Sequence, residues 1–318
     1  MLGTVYKSTG SWYTVKSDAG AFYQCRIKGK FRIKGIKSTN PIAVGDRVDF
    51  QLEKIGDEEV GIISKIHDRR NYIIRKSVNL SKQTHIIAAN LDLVFLVVTL
   101  NNPTTYTSFI DRFLVTAEAY DIPAILLFNK LDSYTLEERS EVHYLSDLYQ
   151  KIGYTCIQIS AKTGKNIAEV KTLMQGKTSM FSGNSGVGKS TLVNAIENGL
   201  DLKTAEISDQ HLQGQHTTTF AEMYDLSFDA RIIDTPGIRG FGVVDIEKEE
   251  LGDYFPEFFA LKTACKFNNC LHLDEPKCAV KKALDDDGVS WSRYRSYAQM
   301  ALGEDENYRV DIHKDHGV

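Results

Sequence analysis

Thr178-Ser179-Met180-Phe181-Ser182-Gly183-Asn184-Ser185-Gly186-Val187-Gly188-Lys189-Ser190-Thr191-Leu192-Val193-Asn194-Ala195-Ile196 is the stretch that decides the fold. Residues 178–181 are β-like and 191–196 suit a helix. Between them, 183–190 fit the pattern G-x-x-x-x-G-K-[ST] at every defined position. Glycines let the backbone amides curl round phosphate oxygens, Lys189 reaches the β and γ oxygens, and the Ser190 hydroxyl is the expected Mg²⁺ ligand. Strand, loop and helix in this order imply an α/β domain that binds a nucleoside phosphate through Gly183, Asn184, Ser185, Gly186, Val187, Gly188, Lys189, Ser190 and Thr191.

Phosphate loops serve ATP and GTP alike, so the base must be chosen elsewhere. Asn129-Lys130-Leu131-Asp132 follows the apolar run 124–128, at a strand end where ligands of open α/β sheets collect. A carboxylate at Asp132 can accept the two N–H donors on guanine's edge. Adenine presents an acceptor at the matching ring nitrogen, which would leave like-polarity groups facing each other. Ser160-Ala161-Lys162, after the β-type run 155–159, matches the loop that supports the base oxygen.

Asp234-Thr235-Pro236-Gly237 completes the set: Asp234 ends the run 231–233 and can hold Mg²⁺ through water, and the Gly237 amide can meet the γ-phosphate. Ile238 then occupies the position where Ras-like enzymes carry a water-orienting glutamine, so slow intrinsic hydrolysis is expected. Gln213-Gly214-Gln215-His216-Thr217-Thr218-Thr219 lies where a mobile switch belongs. One of its three threonines should bind Mg²⁺, with Thr218 as the candidate. His216 is the candidate for orienting water, against the alternative of a solvated loop histidine.

The base motif precedes the phosphate loop by about fifty residues, the reverse of the usual order. The chain after Asp234 is therefore free to run straight into the C-terminal segment, a short covalent path from γ-phosphate sensing to whatever that segment binds.

A chain of 318 residues with 42% apolar residues calls for two or three domains. We expect residues 1–72 to form an OB-type β-barrel, 73–242 an α/β P-loop domain with a mainly parallel sheet, and 243–318 a helical metal-binding module with a helix over 289–302. Barrel strands are expected at 3–7, 12–16, 21–27, 31–36 and 47–52, and a helix over 108–120 carries Phe109, Phe113, Ala117 and Tyr120 on one side. The N-terminus has no apolar signal core and the longest apolar run, 91–100, is too short for a membrane span. Both features suit a cytoplasmic protein.

The net charge of −4 conceals an asymmetry, because residues 1–72 hold 13 Lys/Arg against 8 Asp/Glu. Within that segment Ile27, Phe31 and Ile33 alternate with Lys28, Lys30, Arg32 and Lys34, so a strand would present a basic stripe. Such a stripe can be a solvated face; the local excess of positive charge favours nucleic acid. Trp12, Tyr13, Phe22 and Tyr23 are candidate base-stacking residues, some of them needed for the barrel core. Lys281, Lys282, Arg293 and Arg295 are candidate phosphate contacts.

Cys265-x4-Cys270-x-His272-x5-Cys278 supplies three thiolates and one imidazole within fourteen residues, the closed shell of a structural Zn²⁺. Lys266, Asn268 and Asn269 between them are poor core residues. Cys25 and Cys156 stand alone in apolar strands and are expected only to pack.

This order of elements, with a barrel before and a Cys/His module after, closely resembles the circularly permuted RsgA (YjeQ/YloQ) family of ribosome small-subunit-dependent GTPases. The resemblance implies an OB-fold, a permuted GTPase domain and a zinc domain, acting late in small-subunit maturation with hydrolysis stimulated by that subunit. It also implies GTP contacts at Asn129, Lys130, Asp132 and 183–190. Gln215 stands where an arginine is typical, and Gly240 replaces an acidic residue. A monomer is expected. A GTP-gated RNA-binding module and a metallochaperone GTPase are the other classes that fit, although four close ligands in one loop suit metal retention better than transfer.

Overall fold

The computed structural model describes residues 1–27, 41–56, 58–76, 84–198, 200, 221–234 and 246–303. The strand expected at 31–36, the stripe Lys28, Lys30, Arg32 and Lys34, the segment 213–219 with His216 and Thr218, and Gly237, Ile238 and Gly240 lie outside the described residues.

Continuous apolar runs become strands covered on both faces. β8 (Leu93–Val98) is buried at every position. Val94, Leu96 and Val98 enter one core, while Leu93, Phe95 and Val97 enter a second on the opposite face. β9 (Ala124–Phe128) divides the same way, with Leu126 and Phe128 on the first face and Ile125 and Leu127 on the second. Side chains alternate with period two along a strand, so a run that is apolar throughout is satisfied only between two helical layers. α1 (Thr107–Ala119) and α2 (Leu136–Ile152) cover the first face; α3 (Ile167–Met174) and α4 (Lys189–Ile196) cover the second.

With β10 (Thr155–Gln158), β11 (Thr178–Ser182), β12 (Glu222–Leu226) and β13 (Ala230–Asp234), the strand order is β10-β9-β8-β11-β13-β12. All neighbours are parallel except the β13–β12 pair. The carboxyl ends of five parallel strands therefore lie on one side, which places the described loops of the candidate site together.

β1 (Leu2–Ser8), β2 (Tyr13–Ser17), β3 (Phe22–Ile27), β4 (Arg47–Ile55) and β5 (Glu58–Ile66) form a barrel, closed by pairing of β1 with both β2 and β4. Its core holds Val5, Tyr13, Val15, Cys25, Val48, Phe50 and Ile63. Tyr13 is thus a core residue rather than a stacking platform. Half-buried Tyr23 leans on Phe50, with ring centroids 5.4 Å apart. Phe22 stays exposed, and the Arg26 guanidinium lies 3.7 Å over the Trp12 ring. A hairpin of β6 (Tyr72–Lys76) and β7 (Thr84–Ala89), which the sequence patterning did not reveal, follows the barrel.

β1 also pairs with β12 at Lys7 and Glu222, so barrel and α/β domain share one continuous sheet. The Tyr6 hydroxyl donates to Asp225 at 2.6 Å, and the Lys16 ammonium reaches the same carboxylate at 2.5 Å. No helix of the described residues is long and apolar enough to cross a membrane.

Within 246–303 the regular elements are helical, with α5 (Pro256–Leu261), α6 (Ala279–Asp285) and α7 (Trp291–Leu302) around a core of Phe255, Phe258, Val280, Val289 and Tyr297. Val115 of α1 belongs to that core. The module is therefore docked on the α/β domain by shared apolar burial.

Candidate functional site

The phosphate loop leaves β11, whose residues Ser179, Met180, Phe181 and Ser182 pair with Leu93, Val94, Phe95 and Leu96. Gly183, Gly186 and Gly188 all have positive φ, and a Cβ on Gly183 would stand 2.5 Å from the Val97 carbonyl oxygen. Val187 points inward and is fully buried, which pins the middle of the arc while Ser185 and Gly186 stay exposed. α4 starts after Gly188 with no side-chain cap, so its first-turn amides suit an anion. The Lys189 ammonium donates to the carbonyls of Gly183 and Asn184, both at 2.8 Å, and its burial lowers its pKa from the ordinary lysine value. Thr191 is exposed in the first turn of the helix.

Asn129, at the end of β9, ties three loops together. Its Nδ2 donates to the Val187 carbonyl at 2.9 Å, and its Oδ1 accepts from the Ala161 N–H at 3.0 Å. The residue is buried, so both bonds are shielded from water. Ser160 donates its hydroxyl to Asp132 Oδ1 at 2.6 Å and accepts from the Thr163 N–H at 3.1 Å, which orients the carboxylate. Asp132 and Lys162 are exposed and open to a ligand edge. Asp234 ends β13, which lies beside β11 in parallel register. The geometry thus brings Asn129, Lys130, Asp132, 160–162, 183–191 and Asp234 to the carboxyl edge of a single sheet.

Two contributors were missed from the sequence. The loop 99–105 lies against the phosphate loop, and Lys130 donates to the carbonyl of Asn102. Tyr134 donates no obvious signal from its position two residues past Asp132, yet its hydroxyl accepts from the Leu100 N–H at 2.8 Å. The Asn102-Pro103 dipeptide was the available cue, since Asn-Pro marks tight turns.

In the C-terminal module the ligand atoms of Cys265, Cys270, His272 and Cys278 all lie within 4.8 Å of one another. Cys265 Sγ is 4.0 Å from Cys278 Sγ, close to the edge of about 3.8 Å that Zn–S bonds of about 2.3 Å give a tetrahedron. His272 Nδ1 is 3.6 Å from Cys265 Sγ and 3.3 Å from Cys278 Sγ. The Ala279 and Lys281 N–H groups point at Cys265 Sγ and Cys278 Sγ, an arrangement that stabilises thiolates. Soft donors, converging geometry and supporting amides fit a closed metal shell. Cys25 and Cys156 lie outside this cluster, Cys25 in the barrel core and Cys156 packed against the core of the α/β domain, and burial pushes each thiol up to about 12.

Arg293 is not a phosphate contact. It is fully buried, with Nη1 2.8 Å from Asp111 of α1 and Nε 2.7 Å from Glu257. Two residues apart on α7, Arg293 and Arg295 face opposite ways, and only Arg295 is exposed. Lys281 is half-buried and donates to the Leu273 carbonyl at 2.9 Å, whereas Lys282 is exposed.

A parallel sheet with a phosphate loop at one strand end and a guanine-type base loop that precedes it in the chain defines the class of circularly permuted P-loop GTP-binding proteins. Comparison with known proteins agrees: residues 66–244 match the family model described as RsgA GTPase, and residues 2–63 match the RsgA N-terminal domain. The chain belongs to the RsgA GTPase family. It is 70% identical over 311 residues to the small ribosomal subunit biogenesis GTPase RsgA of Christiangramia forsetii, covering 98% of this chain and 99% of that protein. The like-named protein of Bacteroides fragilis is 55% identical, with 98% and 99% covered. The crystal structure of YjeQ from Thermotoga maritima superposes with a TM-score of 0.77 at 36% identity, covering 95% of this chain and 97% of that one. YloQ, a circularly permuted GTPase, gives 0.73 at 31%, with 95% and 94% covered.

Proposed function

We propose that this chain hydrolyses GTP to GDP and phosphate during maturation of the small ribosomal subunit, binding the subunit's rRNA and being stimulated by it. The observation that carries the reading is the Asn129 bridge: one buried amide joins the phosphate loop to the base-support loop, beside a carboxylate held by Ser160. A pocket so joined reads the guanine edge and the phosphates as one ligand. Relatives named for small-subunit biogenesis, similar over almost their whole length, supply the biological setting.

In this reading Asn129, Lys130, Asp132, Ser160, Ala161 and Lys162 hold the base, and 183–191 with Gly237 hold the phosphates. Ser190, Thr218 and Asp234 bind Mg²⁺, which neutralises charge developing on the phosphate oxygens. His216 orients the attacking water in place of a glutamine. Cys265, Cys270, His272 and Cys278 retain one structural Zn²⁺. The barrel of residues 1–72 meets rRNA through its basic and aromatic face, with Trp12, Phe22 and Arg26 on the described part of it, while Lys282 and Arg295 of the module 243–318 add phosphate contacts. Residues 73–242 form the GTPase domain of a cytoplasmic monomer.

The deciding experiment is GTP turnover by the full chain with and without purified small ribosomal subunits. At least a tenfold rise is expected, since completing a charge-stabilising site is worth roughly 10²–10³ in rate. Unchanged turnover would sink the subunit-stimulated reading and leave GTP-gated binding.

A further inference from the structure

The loop 99–105 between β8 and α1 touches two parts of the nucleotide site. Lys130 donates its ammonium to the Asn102 carbonyl. The Pro103 ring lies 3.4 Å from where a Cβ on Gly186 would stand. The loop is closed at its neck: the Thr105 N–H donates to the Thr99 carbonyl at 2.8 Å, the Thr99 N–H to Thr105 Oγ1 at 3.1 Å, and Thr99 Oγ1 to the Pro103 carbonyl at 2.6 Å.

Two side chains beyond the base loop hold it from outside. The buried Tyr134 hydroxyl accepts from the Leu100 N–H at 2.8 Å, and Asn101 Nδ2 donates to Glu138 Oε1 at 2.5 Å. Glu138 is itself fixed, because its other oxygen accepts from the Thr135 N–H at 2.7 Å in the capping box of α2.

We propose that Tyr134 and Glu138 are positioning residues for the guanine nucleotide, holding loop 99–105 as a bracket that fixes Lys130 on one side and the phosphate loop at Gly186 on the other. A long lysine restrained before the ligand arrives has already given up rotamer freedom, so loosening the bracket transfers that ordering cost to binding. The loop meets the site at Lys130 of the base motif and at Gly186 of the phosphate loop, parts that would serve GTP and GDP in common. Its effect therefore falls on both nucleotides alike, leaving the choice against ATP to Asp132 and the chemical step to other groups.

The inference rests on the GTPase reading above. Its test compares the full-length wild type with Tyr134→Phe, which removes only the hydroxyl, and Asn101→Ala, which cuts the tether to Glu138 but spares the capping box. Dissociation of fluorescent GDP and GTP, KM, kcat and the melting temperature of the nucleotide-free chain are measured. Release of both nucleotides should be about tenfold faster in each variant, the scale of one lost buried hydrogen bond, with KM rising in step. At the same time kcat should stay within about twofold, and melting should not shift in proportion. Nucleotide release unmoved in both variants overturns the inference, as does weakening that tracks a lowered melting temperature. A wild type that binds neither nucleotide overturns the GTPase reading itself, which is a separate outcome.

Discussion

At Gly188 two constraints coincide. Its φ is +97°, and a Cβ would stand 2.6 Å from Asn129 Nδ2, the atom that holds the Val187 carbonyl. Gly188→Ala therefore strains the backbone and also displaces the amide that joins the two halves of the pocket. We expect at least about tenfold weaker GDP binding in a fluorescence titration, since strain and the lost buried bond add. Gly153 supplies the contrast: its φ is +117°, but a Cβ there would meet nothing within 4 Å. Gly153→Ala should cost only about 1 kcal/mol of stability and leave nucleotide affinity alone. Both glycines are visible as glycines in the sequence. That one of them faces Asn129 is not, because the residues are 59 positions apart.

Among the elements, α1 and α7 are joined by a charge cluster in which Arg293 and Asp111 are fully buried and Glu257 lies at the edge. Arg293 lies between Asp111 and Glu257, and the Tyr149 hydroxyl donates to Asp111 at 2.8 Å. Burial pushes the Asp111 carboxyl upward while Arg293 pulls the other way. Arg293→Met removes the only cation this cluster shows and leaves two carboxylates facing each other, so a loss of about 3–5 kcal/mol is expected in urea unfolding followed by circular dichroism. Adding Asp111→Asn should recover part of it, since the uncompensated buried charge goes. A single arginine on a helix with period 3.6 reads as surface, and Arg295 is indeed exposed. Arg293 turned inward because the C-terminal module docks on α1, a contact between segments 182 residues apart.

For the whole molecule, the Cys/His cluster and the candidate nucleotide site belong to separate cores, linked through Val115 of α1. Chelation of the proposed zinc, or Cys270→Ser, should raise hydrogen exchange across 246–303 and lower the zinc content to below one per chain by mass spectrometry. GTP affinity should change by no more than about twofold; equal loss of both would mean that the two cores fold as one. The nucleotide loops and the Cys/His cluster were legible from sequence because each is local, a few residue types at fixed spacing that carry their own backbone geometry. Strands β8 and β9 were legible because continuous apolar runs tolerate only a buried place. β5, the β6–β7 hairpin and β12 were not, since their mixed patterning gains meaning only from partners. Also hidden were the seam where Tyr6 and Lys16 meet Asp225, the inward turn of Arg293, the burial of Tyr13 and the bracket over Lys130. Short-range chemistry was thus written in the order of residues. Which charged or aromatic side chain faces solvent, and which loop braces another, depended on desolvation and contact between distant segments, quantities that exist only once the chain has packed.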